Sequence, residues 1–280
     1  MQKGRKIAKR IAVIFLALFL MIAVIFGLGW FGALCADLSW GRWRPDYQKE
    51  DISSLLSKTE LTEEEYTKIY RQTGLTKVAV DDCLSQGKQD RILRIQEAFF
   101  QSVELYKTCY APFTYIETIS GNIPLALLQD GDILISASTR VSFFRYGHAA
   151  LVVDGEYGRI LEALEPGSKS KMAAATTFSN LANFLVLRPK ADVEIRCGVA
   201  EAAIRDLVGI EYSLTAGIFG DKYQEIPSST QCAHLVWTAY KRYGIDLDRN
   251  GGSVVKPQDF LSDKVDVVQV YGFDLDTLWR

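Results

Sequence analysis

One cysteine, one histidine and two glutamates in this chain have the residue types and settings of a nucleophilic site. Cys232 stands in Ser228-Ser229-Thr230-Gln231-Cys232-Ala233-His234-Leu235-Val236-Trp237. Three hydroxyl residues before an apolar-periodic run predict a helix start, because a Ser or Thr oxygen accepts the orphan N–H groups of a first turn. Whichever of the three caps it, Cys232 falls in or beside that turn, where helix dipole and free N–H groups favour a thiolate over a thiol. Cys232, Leu235, Val236, Ala239, Tyr240 and Tyr243 share one helical face, so the sulfur points toward whatever sheet the helix covers. His234 lies about 200° around the helix and points elsewhere. A free cysteine is commonly just a small buried hydrophobe, so the case for chemistry depends on partners.

His148 opens His148-Ala149-Ala150-Leu151-Val152-Val153, which reads as a strand buried on both faces. After Gly155-Glu156-Tyr157-Gly158 the chain returns as Arg159-Ile160-Leu161-Glu162-Ala163-Leu164, a second strand. A carboxylate inside such a strand is costly unless something pairs with it. A glutamate beside a histidine fixes its tautomer and stabilises the imidazolium. A histidine beside a cysteine takes the thiol proton, help that a thiol of pKa about 8.5 needs at neutral pH. The register leaves two acids open. An even-length loop sets His148 across from Glu165, whereas an odd-length loop or a bulge returns Glu162 to the His148 face. A lone rim histidine and a packed cysteine are the bland counterparts of these roles.

The elements around these residues predict an α+β domain, a mostly antiparallel sheet with helices packed on it. Gly131-Asp132-Ile133-Leu134-Ile135 is a turn entering a strand, Leu185 to Arg188 is another strand, and Lys264 to Tyr271 a last one. Asp192 to Val208 carries Ile195, Val199, Ala203 and Leu207 on one helical stripe. Residues 37–120 read as a helical stalk or cap. Asp51-Ile52-Ser53 and Thr62-Glu63-Glu64-Glu65 look like helix starts, and Arg91 to Tyr106 has an apolar stripe of Ile92, Ile95, Phe99, Val103 and Tyr106.

The N-terminus divides sharply. Residues 1–10 form a basic tail with Lys3, Arg5, Lys6, Lys9 and Arg10, and residues 11–36 contain no charge. A span needs about 20 apolar residues, so this run predicts a transmembrane anchor with the tail in the cytoplasm and the rest of the chain outside. The alternative is a signal peptide, whose apolar region is usually about 7–15 residues, cleaved after Ala33-Leu34-Cys35. Trp30, Trp40 and Trp43 suit the membrane–water interface. The net charge of −2 gives no basic field for nucleic acid. Five scattered cysteines without a C-x-x-C, and only two histidines, argue against a metal cluster. Cys83 and Cys109 could pair in an oxidising compartment, but spacing does not show it.

Residues 121–265 resemble the circularly permuted papain-like cysteine hydrolases of the NlpC superfamily, the YiiX/YebB-like branch. The resemblance lies in Gly131-Asp132-Ile133, then Tyr146-Gly147-His148-Ala149-Ala150-Leu151-Val152, then Ile160-Leu161-Glu162-Ala163. It continues in Gly209-Ile210-Glu211-Tyr212, Gln231-Cys232-Ala233-His234-Leu235-Val236 and Pro257-Gln258-Asp259. The order His before Cys marks the permuted branch. Where that branch often has Tyr-Cys-Ser-Glu, this chain has Gln231-Cys232-Ala233-His234, which is closer to the lecithin:retinol acyltransferase relatives. Those orient the catalytic histidine with a second histidine, and here the neighbouring strand offers only Glu162 or Glu165.

The resemblance implies a permuted papain-like fold over residues 121–280, with Cys232 as nucleophile, His148 as base and then acid, and Glu162 rather than Glu165 as its orienter. Tyr212 and Gln231 become the candidate oxyanion or substrate-binding groups, beside the Cys232 N–H at the helix start. No metal or organic cofactor is called for. The expected activity is cleavage of an amide, as in cell-wall peptides, by a single-pass protein of a bacterial-type cell membrane. A lipid ester or lipid amide is the alternative substrate, and a non-catalytic, membrane-tethered binding module is the rival from another class.

Overall fold

The computed structural model describes residues 2–39, 43–111, 113–218 and 222–278. Helix α1 (Gln2–Ser39) leads the chain, and its apolar part, Lys9–Cys35, is long and apolar enough to cross a membrane. Trp30 is exposed on it, whereas Trp40 lies outside the described residues. Trp43 departs from the interfacial expectation. Its ring packs on Phe99, centroids 6.0 Å apart, and its backbone N–H donates to the Gly272 carbonyl, so it packs against the folded core.

Four helices follow: α2 (Ser53–Leu56), α3 (Glu63–Thr73), α4 (Lys77–Ser85) and α5 (Gln89–Phe100). The start of α3 is a capping box, with Thr62 accepting from the Glu65 N–H and Glu65 accepting from the Thr62 N–H. Gly74 ends it in the left-handed conformation at φ 72°, and a Cβ there would lie 2.1 Å from the Val270 carbonyl oxygen, so only glycine allows the helical cap to lie this close to the sheet. Ile69, Leu75, Val80, Ile92, Ile95 and Phe99 share one buried cluster with the strands.

The helical stripe expected through Tyr106 stops at Phe100. Residues 105–119 instead form a hairpin of β1 (Leu105–Ala111) and β2 (Thr114–Ile119). The reason is local: Tyr, Thr and Ile recur there, and these side chains suit a pleated surface better than a helix. Val103 is still buried, but in a loop, and Tyr106 is largely exposed on the strand.

The main sheet has six strands in the order β11–β8–β3–β5–β6–β7, every neighbouring pair antiparallel. They are β3 (Ile133–Ser136), β5 (His148–Asp154), β6 (Arg159–Glu162), β7 (Lys171–Ala174), β8 (Phe184–Pro189) and β11 (Val265–Tyr271). The short β4 (Thr139–Val141) pairs instead with β2. The short helix α6 (Thr176–Ser179) precedes β8, and α7 (Val193–Asp206) follows it. Next come β9 (Glu211–Tyr212), β10 (Ser229–Thr230) and α8 (Cys232–Lys241).

Helices α7 and α8 both pack on β5. Every residue of α8 from Cys232 to Tyr240 is buried. At about 1.5–3 kcal/mol for each large apolar side chain buried, Leu235, Val236, Trp237 and Tyr240 fix this helix firmly over the sheet. Tyr240 also donates to the Gly131 carbonyl, tying α8 to the start of β3. The architecture is thus mixed helix and antiparallel sheet with an N-terminal apolar helix. Among the described residues no disulfide joins any of the five cysteines.

Candidate active site

The register of β5 against β6 decides between the two carboxylates. Ala150 pairs with Glu162 and Val152 with Ile160, but Asp154 pairs with Arg159, so β5 carries an extra residue at Val153. That bulge is the one of the two open geometries that returns Glu162 to the face of His148. Glu162 Oε2 lies 2.9 Å from His148 Nε2, and both side chains are buried. Glu165 is exposed, in a turn closed by the Ser168 hydroxyl on its carbonyl, and lines the cleft without reaching the ring.

His148 also lies face to face with Phe178 of α6, centroids 5.4 Å apart and planes inclined by 19°. Phe178 was not singled out from sequence, since an aromatic in a four-residue helix carries no signal of what it faces. Burial works against charge on His148 and is the largest influence on it. Hydrogen bonds with Cys232 and with Glu162 outweigh it, and the pKa is pushed up from 6.5 to about 9. With Nε2 on Glu162, Nδ1 is the ring nitrogen left for the sulfur. The ring therefore carries its proton at neutral pH.

Cys232 is the first residue of α8, as its apolar run implied, but the cap is not one of the three hydroxyl residues. Gln231 caps the helix, its Oε1 accepting from the Ala233 N–H at 2.9 Å. Ser229 and Thr230 are drawn into β10, which pairs in parallel with Glu211 and Tyr212 of β9. The Gln231 amide is held at both ends: Nε2 donates to the Val255 carbonyl at 2.6 Å, and Oε1 lies 3.4 Å from Cys232 Sγ. Gln231 thus lies against the sulfur and lines the cleft, with one of its two Nε2 hydrogens committed to Val255. The Cys232 N–H, at the head of the helix, has no intrahelical acceptor.

Tyr212 is brought beside the sulfur by the β9–β10 pairing, and its segment is stitched to residues 168–170 by Tyr212 N–H on Ser168 O and Gly209 N–H on Ser170 O. His234 sits apart. Its Nδ1 meets Thr230 Oγ1 at 3.0 Å, its Nε2 meets the Lys222 carbonyl at 3.1 Å, and burial above all lowers its pKa. It is a satisfied core histidine.

Two lobes of a cleft meet at Cys232, Tyr146 and Tyr212. One, of about 190 Å³, is lined by Ile116, Thr139, His148, Leu164 and Glu165. The other, of about 160 Å³, is lined by Phe144, Leu214, Val254, Val255 and Pro257. Each is smaller than the ~300–1,000 Å³ of a self-contained ligand pocket, so the site suits part of a longer molecule lying across the sulfur. The Pro257-Gln258-Asp259 motif forms the turn behind the second lobe, with Asp259 buried and accepting from the Lys256 N–H. A larger cavity of about 980 Å³ lies between residues 122–129 and the β5–β6 turn. It is lined by neither cysteine nor histidine, whereas the smaller cleft is lined by both Cys232 and His148. No group of side chains suited to a metal ion occurs among the described residues.

Compared with known proteins, the chain matches no family model, no curated protein and no solved structure. The site geometry therefore carries the functional reading.

Proposed function

We propose that this chain is a membrane-anchored cysteine hydrolase of the permuted papain-like type, with its catalytic domain outside the cytoplasm. The observation that carries the reading is that Glu162 bonds the buried His148 ring at 2.9 Å, and that this ring lines the same cleft as Cys232 at the head of α8. The Cys232 thiolate attacks a carbonyl carbon while His148 holds the proton. The developing oxyanion is met by the Cys232 N–H, aided by the positive end of α8. Collapse of the tetrahedral intermediate breaks the bond to the leaving group, which takes the proton from His148 and leaves a thioester on Cys232. Water then attacks the thioester, His148 accepts its proton, and the acid departs as the thiolate is restored. Glu162 keeps the ring oriented and charged when needed.

The first substrate class is an amide, as in cell-wall peptides. A second, the ester or amide of a lipid, is favoured by the apolar lining of both lobes, Ile116 and Leu164 on one side and Leu214, Val254 and Val255 on the other. Incubating the full chain with peptidoglycan fragments and, separately, with phospholipid vesicles tests both, read by mass spectrometry against Cys232→Ala. Turnover by the native chain and none by the variant is the expected result. Equal turnover by the two rejects Cys232 as nucleophile.

A further inference from the structure

We infer that the β1–β2 turn and the turn after β4 form a second membrane contact, seating the cleft on the leaflet from which α1 emerges; the inference rests on α1 spanning the bilayer. The two turns meet each other and α1. The Ser142 N–H donates to the Phe113 carbonyl at 2.7 Å, and the Ser142 hydroxyl donates to the Gly29 carbonyl at 2.8 Å. The Phe113 ring stacks edge-on against Phe26, centroids 5.4 Å apart. Glycines on α1 admit this approach, since a Cβ at position 29 would meet the Phe113 ring at 3.2 Å and one at position 32 would lie 2.7 Å from the Phe143 ring. Phe113 and Ser142 both hold positive φ, 59° and 53°, a conformation non-glycine residues adopt only where surroundings impose it.

The depth of the contact follows from helix geometry. From Arg10, the last basic residue before the apolar run, to Gly29 is about 28 Å at ~1.5 Å per residue. That nearly equals the ~30 Å of a hydrocarbon core. Phe113 therefore sits at the far edge of the hydrocarbon, and Phe143 about one turn further out, among the headgroups. Val141, Phe143 and Phe144 are 41%, 71% and 55% exposed, an arrangement costly in water and suited to the bilayer interface.

The turn that bears them is anchored from below. Arg145 donates to Glu117 at 2.7 Å and to the Ala137 carbonyl at 3.0 Å, and Arg140 donates to the same buried Glu117. The same short turn reaches the cleft, where Phe144 and Tyr146 line the lobe beside Cys232. Tyr146 is three steps along the chain from Phe143, at most about 11 Å. A substrate borne by the leaflet would meet the sulfur without leaving the interface.

The test uses the full chain in phosphatidylcholine vesicles that include a phospholipid with a diazirine on its acyl chain, followed by illumination, trypsin and mass spectrometry. Cleavage after Arg140 and Arg145 isolates Val141–Arg145 as one peptide. Lipid adducts on that peptide and on α1 are expected, with the former falling at least tenfold in a Phe143→Asp, Phe144→Ser variant while those on α1 persist. Adducts confined to α1 in the native chain overturn the second contact and leave the anchor standing. Absence of adducts on α1 overturns the anchor and this inference together. Adducts on Val141–Arg145 that survive the double substitution refute the role given to the two rings.

Discussion

Glu162→Gln separates the charge of the site from its shape. The amide keeps the volume of the carboxylate and a hydrogen-bonding oxygen at the 2.9 Å position beside His148 Nε2, but removes the negative charge. A charge-assisted hydrogen bond contributes about 1.5–3 kcal/mol and a neutral one about 0.5–1.5. The difference between the midpoints, about 1.25 kcal/mol, corresponds to roughly one pH unit. The His148 pKa should then fall from about 9 in the native chain to roughly 8 in the variant. Only two histidines are present, so NMR of ring-labelled protein in detergent micelles gives two titrations that cannot be confused. In the native chain one ring should titrate near 9 and the other, His234, below 6.5. Glu162→Gln should move the upper one and leave the lower one in place. An upper titration that does not move would refute the claim that Glu162 holds the charge on His148. Two rings titrating together near 6.5 in the native chain would refute the buried ion pair altogether.

Two further expectations can be read from the same groups. Because the His148 pKa is raised in the folded state, its contribution to stability is complete below pH 6.5 and fades as the pH rises toward about 9. The melting temperature of the chain should fall across that window, and His148→Gln should flatten the slope. Gln231→Ala removes the cap of α8 and should cost about 1 kcal/mol by denaturant unfolding. It should also change the rate of Cys232 alkylation, because the sulfur loses the amide oxygen 3.4 Å away; an unchanged rate would remove Gln231 from any part in setting the sulfur.

Much of this arrangement was legible in the order of residue types. Cys232 at a helix head, His148 at a strand edge and Glu162 on the returning strand all follow from local patterns of apolar and polar residues. What those patterns left open was the choice of Glu162 over Glu165, because the bulge at Val153 lies in an all-apolar strand with no alternation to betray an extra residue. The cap was misplaced because Ser229 and Thr230 pair with Glu211 and Tyr212, a contact across the fold that no local rule for helix starts includes. The hairpin at 105–119 was hidden behind a helical stripe that continued by chance through Val103 and Tyr106. Phe178 was invisible for the same reason as the cap: its role lies in what it stacks on, 30 residues away, and not in its neighbours.

The most direct test of the catalytic reading is the rate at which each cysteine of the full chain reacts with iodoacetamide at pH 7, followed by peptide mapping. Exposure alone ranks Cys35 and Cys109 first, since both are exposed while Cys232 and Cys83 are buried. The account predicts the opposite order, with Cys232 reacting fastest, slowed at least tenfold by His148→Ala, and the other four unaffected by that change. Cys232 reacting no faster than Cys83, or at a rate indifferent to His148, would contradict it.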